Sequence, residues 1–124
     1  MQNILAIYTK EEDINEIVEK IKHLNFDDIE KHSHFEFSIS EKLTDINKLK
    51  QTFSKFELIK SIELRENEKK QKYYSFNYEL EDSTFVVLSL VLNPKPLLIN
   101  GFHVSRNYKQ FEKSLRKNYS SKFI

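Results

Sequence analysis

His32 and His34, two residues apart, are the sharpest metal-ligating pair in the chain. Alternate residues on a strand face the same way, so both imidazoles could meet one ion. A zinc site needs a third and usually a fourth ligand, which Glu30, Glu36 or His103 would have to supply. Two solvent-facing histidines beside a turn give the same spacing, and that plainer reading carries more weight, so no metal is expected. The acidic segment around Asp27, Asp28, Glu30 and Glu36 offers another chemistry. Such carboxylates can occupy a nuclease's phosphate sites and steer fast association with a basic partner. An ordinary solvated helix and loop would carry the same residues. The stretch 105–124 interleaves Tyr108, Phe111 and Tyr119 with Arg106, Lys109, Lys113, Arg116, Lys117 and Lys122, a pattern compatible with phosphate contacts and base stacking. The acidic remainder of the chain argues against nucleic acid, and a solvated terminal helix accounts for that stretch equally.

Composition removes several other chemistries. The chain has no cysteine, so within it there is no disulfide, thiol nucleophile, iron–sulfur cluster or cysteine zinc site. Gly101 is the only glycine, which excludes a glycine-rich phosphate loop. With 124 residues, 39% hydrophobic and 31% charged, the expectation is one globular domain spanning 1–124. No apolar run approaches a membrane span, and residues 1–8 lack the pattern of a signal peptide, which points to a cytoplasmic protein. The richness in Ile, Lys, Asn and Glu suggests an AT-rich, bacterial genome. The formal charge is +1 but unevenly spread. Residues 105–124 carry +5 and the first 104 residues −4, with nine acids against four lysines in 10–36. An acidic front and a basic tail suit charged partners.

The elements that must position these residues are legible in the periodicity. Thr9 and Glu12 match a capping box, followed by Ile14, Ile17, Val18, Ile21 and Leu24 on one helical face, with Asn25 as the stop. Asp27 is placed to cap a short helical turn. Phe35, Phe37 and Ile39 alternate with polar residues, which predicts an extended segment. Thr44 or Asp45 caps a second helix carrying Ile46, Leu49, Phe53 and Phe56. The period then switches to 2. Ile62 and Leu64 alternate with Glu63 and Arg65, and Tyr74, Phe76 and Tyr78 alternate with Ser75 and Asn77, giving two strands, the second with one wet face. Residues 85–92 are apolar at nearly every position and fit a central strand covered on both faces. Turns fall at 67–72, 81–83 and 93–96, and 97–104 is the last strand, bent or bulged near Asn100-Gly101 rather than turned there. Tyr108, Phe111 and Leu115 suggest a short basic helix in the tail, frayed from Ser120 onward.

The fold class is therefore α+β: N-terminal helices packed on a curved four-stranded antiparallel sheet. That order resembles the cystatin-like architecture of the nuclear-transport-factor-2-like superfamily. The likeness rests on Ile-Val-Glu-Lys-Ile-Lys-His-Leu-Asn-Phe-Asp-Asp at 17–28, Glu-Lys-Leu at 41–43, Phe-Glu-Leu-Ile-Lys-Ser-Ile-Glu-Leu at 56–64 and the run ending Leu-Leu-Ile-Asn-Gly-Phe-His-Val at 97–104. Members of that superfamily include isomerases, dehydratases, carriers, secreted domains and toxin-immunity proteins, so the resemblance speaks to fold. It implies a cone inside the sheet, which Tyr74, Phe76, Tyr78 and His103 would line. Tyr with His could perform acid–base chemistry there, although no Asp falls on a clearly inward strand position, and aromatic stripes of period 2 are more often core.

Two functions follow as expectations. The favoured one is a non-enzymatic protein-binding module without a cofactor. Concretely, it is an immunity protein whose Asp27, Asp28, Glu30 and Glu36 block a basic toxin such as a nuclease. The alternative is a small-ligand binder or isomerase-like protein using Tyr74, Tyr78 and His103. A homodimer pairing through its sheet face is a third arrangement.

Overall fold

A computed structural model describes residues 3–42 and 44–124. Leu43, part of the Glu-Lys-Leu stretch of the resemblance, lies outside the described residues. Among the described residues the architecture is α+β: four α-helices and an open, mixed six-stranded sheet in the order β1-β3-β4-β5-β6-β2. The strands are β1 (Asn3–Tyr8), β2 (Glu30–Lys31), β3 (Ile59–Glu66), β4 (Lys72–Glu79), β5 (Phe85–Val91) and β6 (Leu97–Val104). The helices are α1 (Glu11–Val18), α2 (Ser33–Lys42), α3 (Ile46–Phe53) and α4 (Tyr108–Asn118).

The four expected strands are β3–β6, each antiparallel to the next. The sheet is nevertheless not four-stranded. β1 adds antiparallel to β3, and the two-residue β2 adds parallel to β6 through Glu30–Leu97 and Lys31–Leu98. A register shift between Ile4 and Ala6 breaks the alternation that would have marked β1. A two-residue strand has no periodicity to read. The bulge expected near Asn100-Gly101 is present. Ser89 pairs with Asn100 and Leu90 with Leu98, leaving Ile99 as the extra residue of an unbroken β6.

One face of the sheet is closed by α1, α2 and α3. Ile62, Phe76, Tyr78, Val86, Leu88, Leu90 and Leu98 project there against Ile14, Ile17, Val18, Ile21, Phe35, Leu49 and Phe53. The apolar face read for α1 is thus the buried one, but the helix ends at Val18. Beyond it, Lys20 N–H donates to Ile17 and Ile21 N–H to Val18, so the chain tightens from i−4 to i−3 bonds. Thr9 is not the cap. Lys10 holds that position without a side-chain bond, and Glu11, Glu12 and Asp13 meet the positive helix end instead. Asn25, not Asp27, caps the short helical turn Phe26–Asp28, accepting from Asp27 N–H. Asp45 caps α3 by accepting from Asn47 N–H.

The extended segment expected at Phe35–Ile39 is instead the middle of α2. Phe35 is 0% exposed and Phe37 60% exposed. The two therefore lie on different faces, whereas Phe35 and Ile39, at i and i+4, both pack on the core. His32 Nδ1 accepts from His34 N–H at 3.0 Å where α2 starts, satisfying one of the helix's free donors.

α4 lies against the other face, capped by Asn107 accepting from Gln110 N–H. Its Tyr108 and Phe111 rings pack on Phe85 at 5.5 and 4.7 Å, and Leu115 joins Ile4 and Ile7. The last residues do not fray. Ser120–Lys122 forms a short helical turn, Phe123 bridges to Ile7, and Ile124 N–H donates to Ile7 carbonyl at 3.0 Å. That pairing holds the tail along the outer edge of β1.

Gly101 is required for close approach, since its backbone has no left-handed angle. A Cβ there would stand 2.7 Å from Phe35 Cε2 and 3.0 Å from both Leu49 Cδ1 and Leu88 Cδ2. Overpacking of this kind costs about 1–3 kcal/mol. Gly101→Ala should lower unfolding stability by that amount in a urea titration, whereas an unchanged midpoint would show that α2 can stand further off β6.

Candidate functional site

The second face of the sheet carries the feature most like a site. Glu63, Ser75, Ser89 and Asn100 stand side by side on β3, β4, β5 and β6, in register and pointing the same way. Beside this polar row runs a mixed one, Asn77, Val87 and Phe102, and beyond it Phe85 and Val104. α4 reaches over only part of this face. A cleft of about 310 Å³ remains between the rows and Phe111, with Arg65, Tyr73 and Arg106 among its other lining residues.

Alternation marks Ser75 and Asn77 as a wet face, but the structure buries them. Glu63 is 2% exposed and Asn77 0% exposed, and Ser61, Ser75 and Ser89 are buried as well. Buried polar groups need partners, and a network supplies nearly all of them. Arg65 forms an ion pair with Glu63 Oε1 through its guanidinium. Asn77 Nδ2 donates to Glu63 Oε2 at 2.8 Å and to Ser61 Oγ at 3.0 Å. The Ser75 and Ser89 hydroxyls meet at 2.8 Å. The Tyr108 hydroxyl lies 2.7 Å from Ser61 Oγ and 3.1 Å from Glu112 Oε1, tying α4 to the sheet. A phenol has one proton and a carboxylate none, so Tyr108 donates to Glu112 and accepts from Ser61.

Two atoms are left over. Among the described residues, Asn77 Oδ1 and Asn100 Oδ1 are the buried side-chain polar atoms without a hydrogen-bond partner. Both residues line the cleft. The Asn77 amide cannot turn over to hide its oxygen. Its N–H₂ faces a carboxylate, which only accepts, so the oxygen must remain on the other side. A larger groove of about 560 Å³ lies between α1 and the start of β3, lined by Thr9, Ile14, Phe56 and Lys60 among others, but contains neither unpartnered atom.

Residues singled out by type and spacing lie elsewhere. Tyr74, Tyr78 and His103 project from the helix-covered face. Tyr78 is fully buried and donates its hydroxyl to Phe53 carbonyl at 2.8 Å. Tyr74 sits four residues along β4, about 13 Å away, with the Lys20 ammonium 5.8 Å from its ring. His103 Nε2 is 2.8 Å from Thr84 Oγ1. Burial first, and Lys48 second, hold the imidazole below its ordinary pKa against the pull of Asp82. The three do not converge, and the space beneath the helices is filled by Phe35, Leu49 and Phe53.

Asp27, Asp28, Glu30 and Glu36 are all exposed. Lys50 pairs with Asp27 at 2.6 Å and Lys95 with Glu30 at 2.9 Å, which offsets part of the cluster's charge. Lys31 bends away, donating to the Phe26 and Ile29 carbonyls. His32 and His34 stand at the start of α2, not on a strand, and the His34 ring stacks on Phe37. Among the described residues, no group of three or more His, Asp or Glu side chains could hold a metal ion. Also among them, no helix is long and apolar enough to cross a membrane.

Sequence reasoning missed Glu63, Ser75, Asn77, Ser89 and Asn100 as a set. The available signal was Ser89, the one polar residue within the apolar run of β5. Counting outward from the turns aligns it with Ser75 on β4 but with Ile99 on β6; only the bulge brings Asn100 opposite it. No protein-family model, curated protein or solved structure matches the chain.

Burial pushes both the Tyr78 and the Tyr108 hydroxyls well above the ordinary phenol pKa of 10.0, with Ser61's hydrogen bond opposing it at Tyr108. The folded protein therefore keeps protons that the unfolded chain releases above about pH 10. Their stabilising effect is complete below that pH and declines as pH rises past it. Tyr108→Phe should cost about 1 kcal/mol at neutral pH by removing the α4 tether, and should make the alkaline loss of stability shallower. An alkaline limb identical to the parent's would show that the phenol is not sequestered.

Proposed function

We propose that the protein is a binding domain whose working surface is the cleft on the second sheet face, and that its ligand is a small polar molecule. The observation that carries this reading is Asn77 Oδ1, buried, locked in orientation and without a donor. A buried acceptor left unmet costs about 1–3 kcal/mol. A ligand donor would relieve that cost. Binding is favoured over turnover because Glu63, the acidic group among the described lining residues, has both oxygens occupied by Arg65 and Asn77, and none of those residues is a histidine.

Asn100 gives the cleanest test, because its half-buried side chain has an unpartnered oxygen on a strand otherwise rich in apolar residues. Asn100→Leu should raise the stability of the unliganded protein by about 1 kcal/mol, the signature of a residue kept for function at a cost in stability. In a fragment screen read by amide NMR shifts, hits should move the Ser75, Ser89 and Phe102 signals of the parent and lose affinity for the variant. A screen that leaves those signals unmoved would overturn the proposal.

A second reading rests on the exposure of Asp27, Asp28, Glu30 and Glu36. In it the chain is a cytoplasmic bacterial immunity protein that covers the phosphate-binding surface of a basic toxin such as a nuclease. It would then stand with the toxin-immunity members of the cystatin-like, nuclear-transport-factor-2-like superfamily. Steering by exposed carboxylates acts on association rate and weakens with salt. Reversing Asp27, Asp28 and Glu30 to Lys should slow association with such a toxin and flatten its salt dependence. Unchanged kinetics would remove this surface from consideration.

A further inference from the structure

We infer that the cleft takes a flat, uncharged ring bearing an amide-type edge, an N–H beside a C=O. This inference rests on the cleft being a small-molecule site. Four features define the class.

The first is the division of the walls. The register puts Glu63, Ser75, Ser89 and Asn100 in one line, Asn77, Val87 and Phe102 in the next, and Phe85 and Val104 beyond. A ligand lying in the cleft meets hydrogen-bonding groups along the first line and at Asn77, and apolar side chains over the β5–β6 part of the other two. Aromatic rings favour flat partners, stacked or edge-on.

The second is charge. Glu63 and Arg65 are paired, so the floor carries no net charge to offer a ligand. An ammonium or carboxylate entering it would lose hydration without a free counterion there, and such burial is costly. Arg106 also lines the cleft, but it is exposed, where an ion pair contributes little.

The third is the hydrogen-bond inventory. Asn77 Oδ1 accepts only, and so requires an N–H or O–H from the ligand. The Ser75–Ser89 pair uses one of its two hydroxyl protons internally, which leaves one to donate outward. Ser75 and Asn77 are two residues apart on one strand face, about 6.8 Å. Both groups therefore border the same stretch of the cleft, where the N–H and the C=O of one ligand edge would meet them. The Asn100 amide has no neighbour fixing its orientation, so it can present oxygen or N–H₂ to whichever group lies opposite.

The fourth is size. About 310 Å³ is at the lower end of ligand sites, suited to one or two fused rings rather than an extended chain.

The test titrates the full chain with nicotinamide, benzoate and benzylamine, each a single six-membered aromatic ring (a pyridine in the first, benzene in the other two) bearing a neutral amide, an anionic or a cationic group. Amide NMR shifts of Ser75, Ser89 and Phe102 report occupancy of the cleft. Nicotinamide should bind at least about tenfold tighter than either charged compound, a difference of about 1.4 kcal/mol. Asn100→Leu should weaken nicotinamide severalfold while its own spectrum stays dispersed and folded. If benzoate or benzylamine fills the cleft as tightly as nicotinamide, the ligand class is wrong, although the cleft remains a small-molecule site. If none of the three shifts these residues and a broad fragment set does not either, the site itself is wrong.

Discussion

Asn77 is the residue on which the second face of the sheet depends. Both of its amide protons are committed to acceptors on β3, Ser61 and Glu63. A carboxylate cannot donate, so the amide has one orientation and its oxygen is left unmatched. The same bonds extend outward. Glu63 holds Arg65 at the mouth, and Ser61 leads through Tyr108 to Glu112 on α4. One network therefore sets the height of α4 over the sheet, the neutrality of the cleft floor and the direction of its unpartnered acceptor. In a low-dielectric interior such a network is strong where complete and costly where it is not.

The two faces of the sheet solve burial differently. Three helices close the first face, and Gly101 lets Phe35 and Leu49 come within contact of β6. Among the described residues, the second face receives α4 alone, anchored at one end by Phe85 and on its apolar side by Ile4 and Ile7. Its polar row and Asn77 are consequently left as the floor of an open cleft. The sheet edges are quiet. The outer edge of β1 is paired by Phe123 and Ile124, with the Arg116 guanidinium 4.5 Å from the Phe123 ring centroid. β2 is two residues long, too short to template another strand.

The central four strands were legible in the sequence because their side chains alternate cleanly from Ile62 onward and their turns are marked by charge or proline. α3 and α4 were legible because their apolar residues fall on one helical face. β1 was hidden by its bulge and β2 by its length. α2 was misread because Phe35, Phe37 and Ile39 satisfy a period of 2 as well as Phe35 and Ile39 satisfy an i, i+4 pair; burial of Phe35 and exposure of Phe37 separate the two. The site was harder still. Its residues are single polar positions on four strands, joined only by register, and a reading along one strand at a time treats each as solvent-facing. The tyrosines that stood out by type are largely structural: Tyr78 ties β4 to the end of α3.

The most direct measurement is a crystal structure of the protein purified without denaturation, inspected at the cleft. The account predicts α4 standing off the polar row, Asn77 with its N–H₂ on Glu63 and Ser61, and non-protein density within hydrogen-bond distance of Asn77 Oδ1. A closed cleft, with Phe111 packed onto Val87 and Phe102 and a protein donor satisfying Asn77 Oδ1, would contradict it.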